Sequence, residues 1–69
     1  MNYFLVTVDF GNAKKLITKA TGWTFGRFEA YIDKKYPVDG HYIHATCIQR
    51  YANNNELRLA YLHAMKLND

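Results

Sequence analysis

The sequence predicts an α+β domain: a small antiparallel sheet of about three strands with one or two helices packed on one face, in the order β-β-α-β-α or, alternatively, β-β-α-β-β. Three observations carry this expectation. Apolar residues alternate with polar ones near the start and again over residues 41–51, the period of a strand. Between Thr24 and Pro37 they recur at helical spacing instead. The chain has 69 residues, which allows one compact domain over 1–69 and no more.

The first element covers residues 3–10. Phe4, Val6, Val8 and Phe10 share one face and Tyr3, Leu5, Thr7 and Asp9 the other, with β-favouring types throughout. Residues 13–21 fit two templates. Gly11-Asn12 suits a two-residue hairpin turn into a second strand. Ala13, Leu16, Ile17 and Ala20 also fall at i, i+3, i+4 and i+7, with Asn12 as cap and Gly22 as stop. The hairpin is preferred, because two turns of isolated helix nucleate poorly and a first strand needs a partner. Residues 24–36 read as a helix with Thr24 as N-cap, an apolar stripe of Phe25, Phe28, Ile32 and Tyr36, and Lys34 and Lys35 at the cation-favouring end. Pro37 stops it. In the strand over 41–51, Ile43, Ala45 and Cys47 share a face opposite Tyr42, His44, Thr46, Ile48 and Arg50. Residues 56–67 are rich in helix formers, with Leu57, Ala60, Tyr61, Ala64 and Met65 on one face and Asn55 as cap. A strand returning through Asn53-Asn54-Asn55 is the rival.

Composition narrows the class. Apolar types make up 49% of the chain, enough to collapse into a core. No apolar run approaches the ~20 residues of a membrane span, so no membrane partner is expected. The opening residues lack a basic n-region and meet Asp9 early, unlike a signal peptide, and Cys47 is the single cysteine. Both point to a cytoplasmic location. The net charge of +3 permits an acidic partner without requiring one.

The residues that would make an enzyme do not assemble. His41 and His44 point to opposite faces of a strand, and Cys47, His63 and His41 lack metal-site spacing. Cys47 sits mid-strand, where a small buried hydrophobe is the usual role. Glu29 and Asp33 stand at i, i+4 on the helix, the bland reading being a solvated face. No phosphate loop is present between Gly22 and Gly26. A non-enzyme with no catalytic residues, no metal and no cofactor is therefore expected.

Two binding roles remain. In the first, the chain is a protein-interaction module acting by docking, as an accessory, adaptor or inhibitor of the kind phages and mobile elements carry. Trp23, Arg27, Tyr42, Arg50 and Tyr51 are its anchors, being the types that dominate binding hot spots. Open sheet edges and a thin core also favour a homodimer. In the alternative, the chain binds nucleic acid through Lys14, Lys15, Lys19, Lys34 and Lys35, with Tyr3, Trp23, Tyr42 and Tyr51 stacking on bases where exposed. Here Val6-Thr7-Val8-Asp9-Phe10, Ala13 to Ala20 and Gly22-Trp23-Thr24 loosely resemble the strand, first helix and turn of a ribbon-helix-helix repressor. That resemblance covers about half the chain and implies a helix at 13–20 and a DNA partner. The two roles separate on placement. Lys14, Lys15, Lys19, Lys34 and Lys35 in one continuous exposed stripe beside stacked tyrosines would favour nucleic acid, and a patch of exposed aromatics without lysines would favour docking.

Overall fold

The computed structural model describes residues 1–38 and 42–68. Five elements follow in the order β1 (Asn2–Asp9), β2 (Lys14–Thr21), α1 (Phe25–Lys35), β3 (Ala45–Tyr51) and α2 (Asn54–Asn68). The three strands form one open antiparallel sheet in the order β2-β1-β3. β1 is central. Its Val6 lies opposite Ile17 on β2 and Ile48 on β3. Both outer strands run against β1, so they are parallel to each other, and α1 is the crossover that carries the chain over β1 from one to the other.

That route dictates the first core. Phe4, Val6 and Val8 are fully buried and pack with Phe28, Ile32 and Ile43. The Phe4 and Phe28 rings stack at 4.5 Å with planes 7° apart, and Phe25 meets Phe4 edge-on at 6.0 Å. Of the expected helical stripe, Phe28 and Ile32 are buried, Tyr36 is half-buried and Phe25 is largely exposed.

The second helix takes the other face. Leu5, on the face of β1 opposite Phe4, is buried along with Leu57. Leu57, Arg58 and Tyr61 flank Thr18, the β2 residue opposite Leu5. One helix therefore covers each face, where the sequence expectation put the helices on a single face. The reason is visible in Leu5: an outward-facing leucine on a central strand leaves apolar surface that α2 removes from water.

Local chemistry sets the boundaries. The Thr24 side chain accepts from the Arg27 amide at 3.3 Å and starts α1. Asn53, and not Asn55, caps α2: its Oδ1 accepts from the Glu56 amide at 2.9 Å, while Glu56 Oε2 accepts from the Ala52 amide at 3.2 Å. This is close to a capping box, with both partners satisfying amides that the helix leaves unpaired. In the β1–β2 turn, Gly11 has φ of 90°, and Asp9 Oδ1 accepts its amide at 2.8 Å. A side chain there is excluded twice, by the backbone conformation and because a Cβ would lie 2.8 Å from His44 Nε2.

Residues 14–21 form a strand, so the helix that a ribbon-helix-helix protein has at this place is absent and the resemblance does not extend to the fold. β3 begins at Ala45, four residues later than expected. Ile43 therefore lies before the strand, and it joins the α1-side core instead of lining up with Ala45 and Cys47. Cys47 is exposed, not a buried hydrophobe, because β3 is an edge strand. Asp39, Gly40 and His41, which include part of the expected turn after Pro37, lie outside the described residues, as does Asp69.

Candidate functional site

The seam between α1 and β2 gathers cations and aromatic rings in alternation. Arg27, Tyr31 and Lys35 stand at i, i+4 and i+8, one line along α1. At the start of that line the Arg27 guanidinium lies 4.4 Å from the centre of the Trp23 ring. Trp23 meets Tyr31 edge-on at 5.5 Å. Lys35 Nζ donates to the Tyr31 hydroxyl at 3.3 Å and sits 5.6 Å from its ring and 5.8 Å from that of Tyr36. Lys15 Nζ, from β2, closes the series 5.9 Å from the Tyr36 ring. Cation–ring contacts at such separations are attractive, worth about 0.5–1 kcal/mol each when exposed.

Below this chain of contacts runs a groove of about 200 Å³, floored by Ile17, Phe28 and Ile32 and flanked by Lys19, Lys35 and the two tyrosines. Lys15, Ile17 and Lys19 share one face of β2, the same sheet face as their ladder partners Val8, Val6 and Phe4 on β1. None of the described residues lining the groove is acidic. Glu29 and Asp33 sit two positions either side of Tyr31, a little over half a helical turn away, so α1 turns its acids from the seam.

Lys35 is the group whose titration the seam alters. Its pKa is raised above the usual 10.5, first by the hydrogen bond to Tyr31 and then by the nearby Tyr31 and Tyr36 phenols. The charged form is the one favoured by folding. Its contact is therefore fully present below 10.5 and fades only as pH climbs past the raised value, so the cation is constant through the neutral range.

The structure divides both sets of residues expected from sequence. Of the lysines, Lys15, Lys19 and Lys35 meet at the seam. Lys34 is exposed beside it on α1, and Lys14 lies on the opposite sheet face, beside Leu67 of α2. Of the docking anchors, Trp23 and Arg27 belong to the seam. Arg50 joins from β3 through Asn2, which accepts from Arg50 Nη1 at 3.4 Å and donates from Nδ2 to the Trp23 carbonyl at 2.7 Å. Tyr51 is on the α2 face, where its hydroxyl donates to Gln49 at 2.8 Å. Tyr42 is at the other end of the sheet, beside Phe10, Gly11 and His44. Tyr31, central to the seam, is in neither expected set. Its i, i+4 relation to Arg27 and Lys35 was the available signal.

A different surface lies on α2. Leu59 and Leu62 are 60% and 53% exposed, and Leu67 is 73% exposed. No helix among the described residues is long and apolar enough to cross a membrane, and no three described His, Cys, Asp or Glu side chains gather as metal ligands.

Fold and site together define a ββαβα domain with a basic, aromatic seam between its first helix and an edge strand. Comparison with protein families, curated proteins and solved structures finds no match to this chain.

Proposed function

We propose that the chain is a non-enzymatic nucleic-acid-binding protein that holds the phosphate backbone along the α1–β2 seam. The observation that carries this reading is the run of cations and rings Arg27, Trp23, Tyr31, Lys35, Tyr36, Lys15 in consecutive contact beside the groove that Tyr31, Lys35 and Tyr36 line. Cations supply the attraction to phosphate that dominates nucleic-acid affinity. Aromatic rings beside them supply flat surface for bases. Four cations, Arg27, Lys35, Lys15 and Lys19, stand here while the acids of α1 face away.

Affinity for a labelled oligonucleotide, measured by fluorescence anisotropy from 20 to 300 mM salt, tests this. With about three phosphates neutralised, a log–log plot will fall with a slope of about −2 for a single strand. A flat plot, or no binding at the lowest salt, would remove the proposal.

Docking to a protein is the second reading, and the exposed leucines of α2 favour it. A second copy of the chain is one partner of that kind. A homodimer would show as a doubled mass by light scattering at micromolar concentration, and a monomer there would count against it.

A further inference from the structure

We infer that the seam selects single-stranded nucleic acid over duplex, with bases on Tyr31 and Tyr36 and a phosphate held by Lys35 between them. This rests on the nucleic-acid reading above and adds the form of the ligand.

The order of groups along the seam is the first reason. Lys35 Nζ lies almost equally far from the two rings, 5.6 Å from Tyr31 and 5.8 Å from Tyr36. Ring, cation, ring matches base, phosphate, base as an unpaired strand presents them. A duplex buries its base faces in its own stack and offers a side chain only phosphates and base edges. Rings lining the seam therefore give a duplex little that lysines alone would not.

Placement is the second. Tyr31 lines a recess and not a protruding ridge, and its ring is fixed from two sides, by Trp23 at 5.5 Å and Phe28 at 6.1 Å. A ring already held in place loses little freedom when a base stacks on it. Lys15 and Lys19 lie four residues apart on one face of β2, about 13 Å at the usual strand rise. They mark the two ends of a short track with Lys35 on the facing wall.

Trp23 reports on this directly. It is the single tryptophan of the chain and touches Tyr31. A base stacking on Tyr31 will change its emission; a phosphate at Arg27, 4.4 Å from the Trp23 ring, changes it as well, and inorganic polyphosphate gives that contribution by itself.

The experiment compares an oligothymidylate with a duplex of equal length, following anisotropy and Trp23 emission, on the wild-type chain and on Tyr31→Leu/Tyr36→Leu checked by circular dichroism. Inorganic polyphosphate serves as competitor. The expected result is at least 10-fold tighter binding of the single strand, with a Trp23 signal for it beyond that given by the duplex or polyphosphate. The double variant should lose roughly 30-fold or more for the single strand, as the loss of two stacked bases requires, with its salt slope unchanged. Should the variant fail to fold, the wild-type strand preference and Trp23 signal decide. Equal affinity for duplex, a folded variant that binds as wild type, or polyphosphate competing as well as the oligonucleotide would each overturn the inference while leaving a polyanion site. Absence of binding to all three polyanions would overturn the nucleic-acid reading as well.

Discussion

Phe4→Ala will remove most of the folding free energy. Phe4 is 0% exposed, sits on the central strand and stacks face to face on Phe28. Truncating a buried phenylalanine costs about 3–5 kcal/mol, the lost transfer energy plus the cavity left behind. A chain of 69 residues has roughly 3–10 kcal/mol in total, at the usual stability per residue. Its urea midpoint, followed by circular dichroism, will therefore fall by at least about 2 M or the transition will vanish. Phe25→Ala is the matched control. Phe25 touches the same ring but is 41% exposed, so its loss should cost about 1–2 kcal/mol. Equal costs for the two would mean that Phe4 is not the centre of the core.

Reversing the seam lysines will have the second largest effect. Lys15→Glu/Lys19→Glu/Lys35→Glu subtracts six charges and turns the formal net charge from +3 to −3. Lys14→Glu/Arg58→Glu/Lys66→Glu makes the same change on surface away from the seam. If the overall charge governed binding, the two variants would behave alike. If the seam is the site, the first will lose on the order of 100-fold or more in oligonucleotide affinity, as three phosphate contacts become repulsions, and the second will lose less than about 10-fold. All six positions are exposed, so neither variant removes buried structure.

β1 and α1 are legible in the sequence because their large apolar side chains are spaced by the period of the element, with Phe4, Leu5, Val6 and Val8 buried on β1 and Phe28 and Ile32 on α1. β2 is harder. As an edge strand it half-buries only Leu16, Ile17 and Thr21, so period two is faint and a helical spacing fits as well. What decides between them is the need of β1 for a neighbour, which is not local information. α2 hides its packing face for another reason: Leu57 is buried while Leu59 and Leu62 are exposed, and hydrophobicity alone does not rank them. The covering of both sheet faces depends on that same choice, with Leu5 as its one trace in the sequence.

The site was legible in parts. Clustered lysines and an excess of aromatics predict some interaction surface. By residue type Arg27 suits docking, Lys15, Lys19 and Lys35 suit nucleic acid and Trp23 suits either, although all five meet in one seam. Contact between Tyr36 and Lys15 joins residues from two elements and exists only because α1 crosses back beside β2. Lys14 neighbours Lys15 in sequence, yet strand alternation sends it to the opposite face.

The most direct test of the seam as binding site is a titration of the ¹⁵N-labelled chain with a short oligonucleotide, following backbone amide shifts residue by residue. The account predicts that the largest shifts fall at Lys15, Ile17, Lys19, Tyr31, Lys35 and Tyr36, with the Trp23 indole moving alongside them and α2 nearly still. Shifts centred on Leu59 and Leu62, or spread evenly over all exposed lysines, would contradict it.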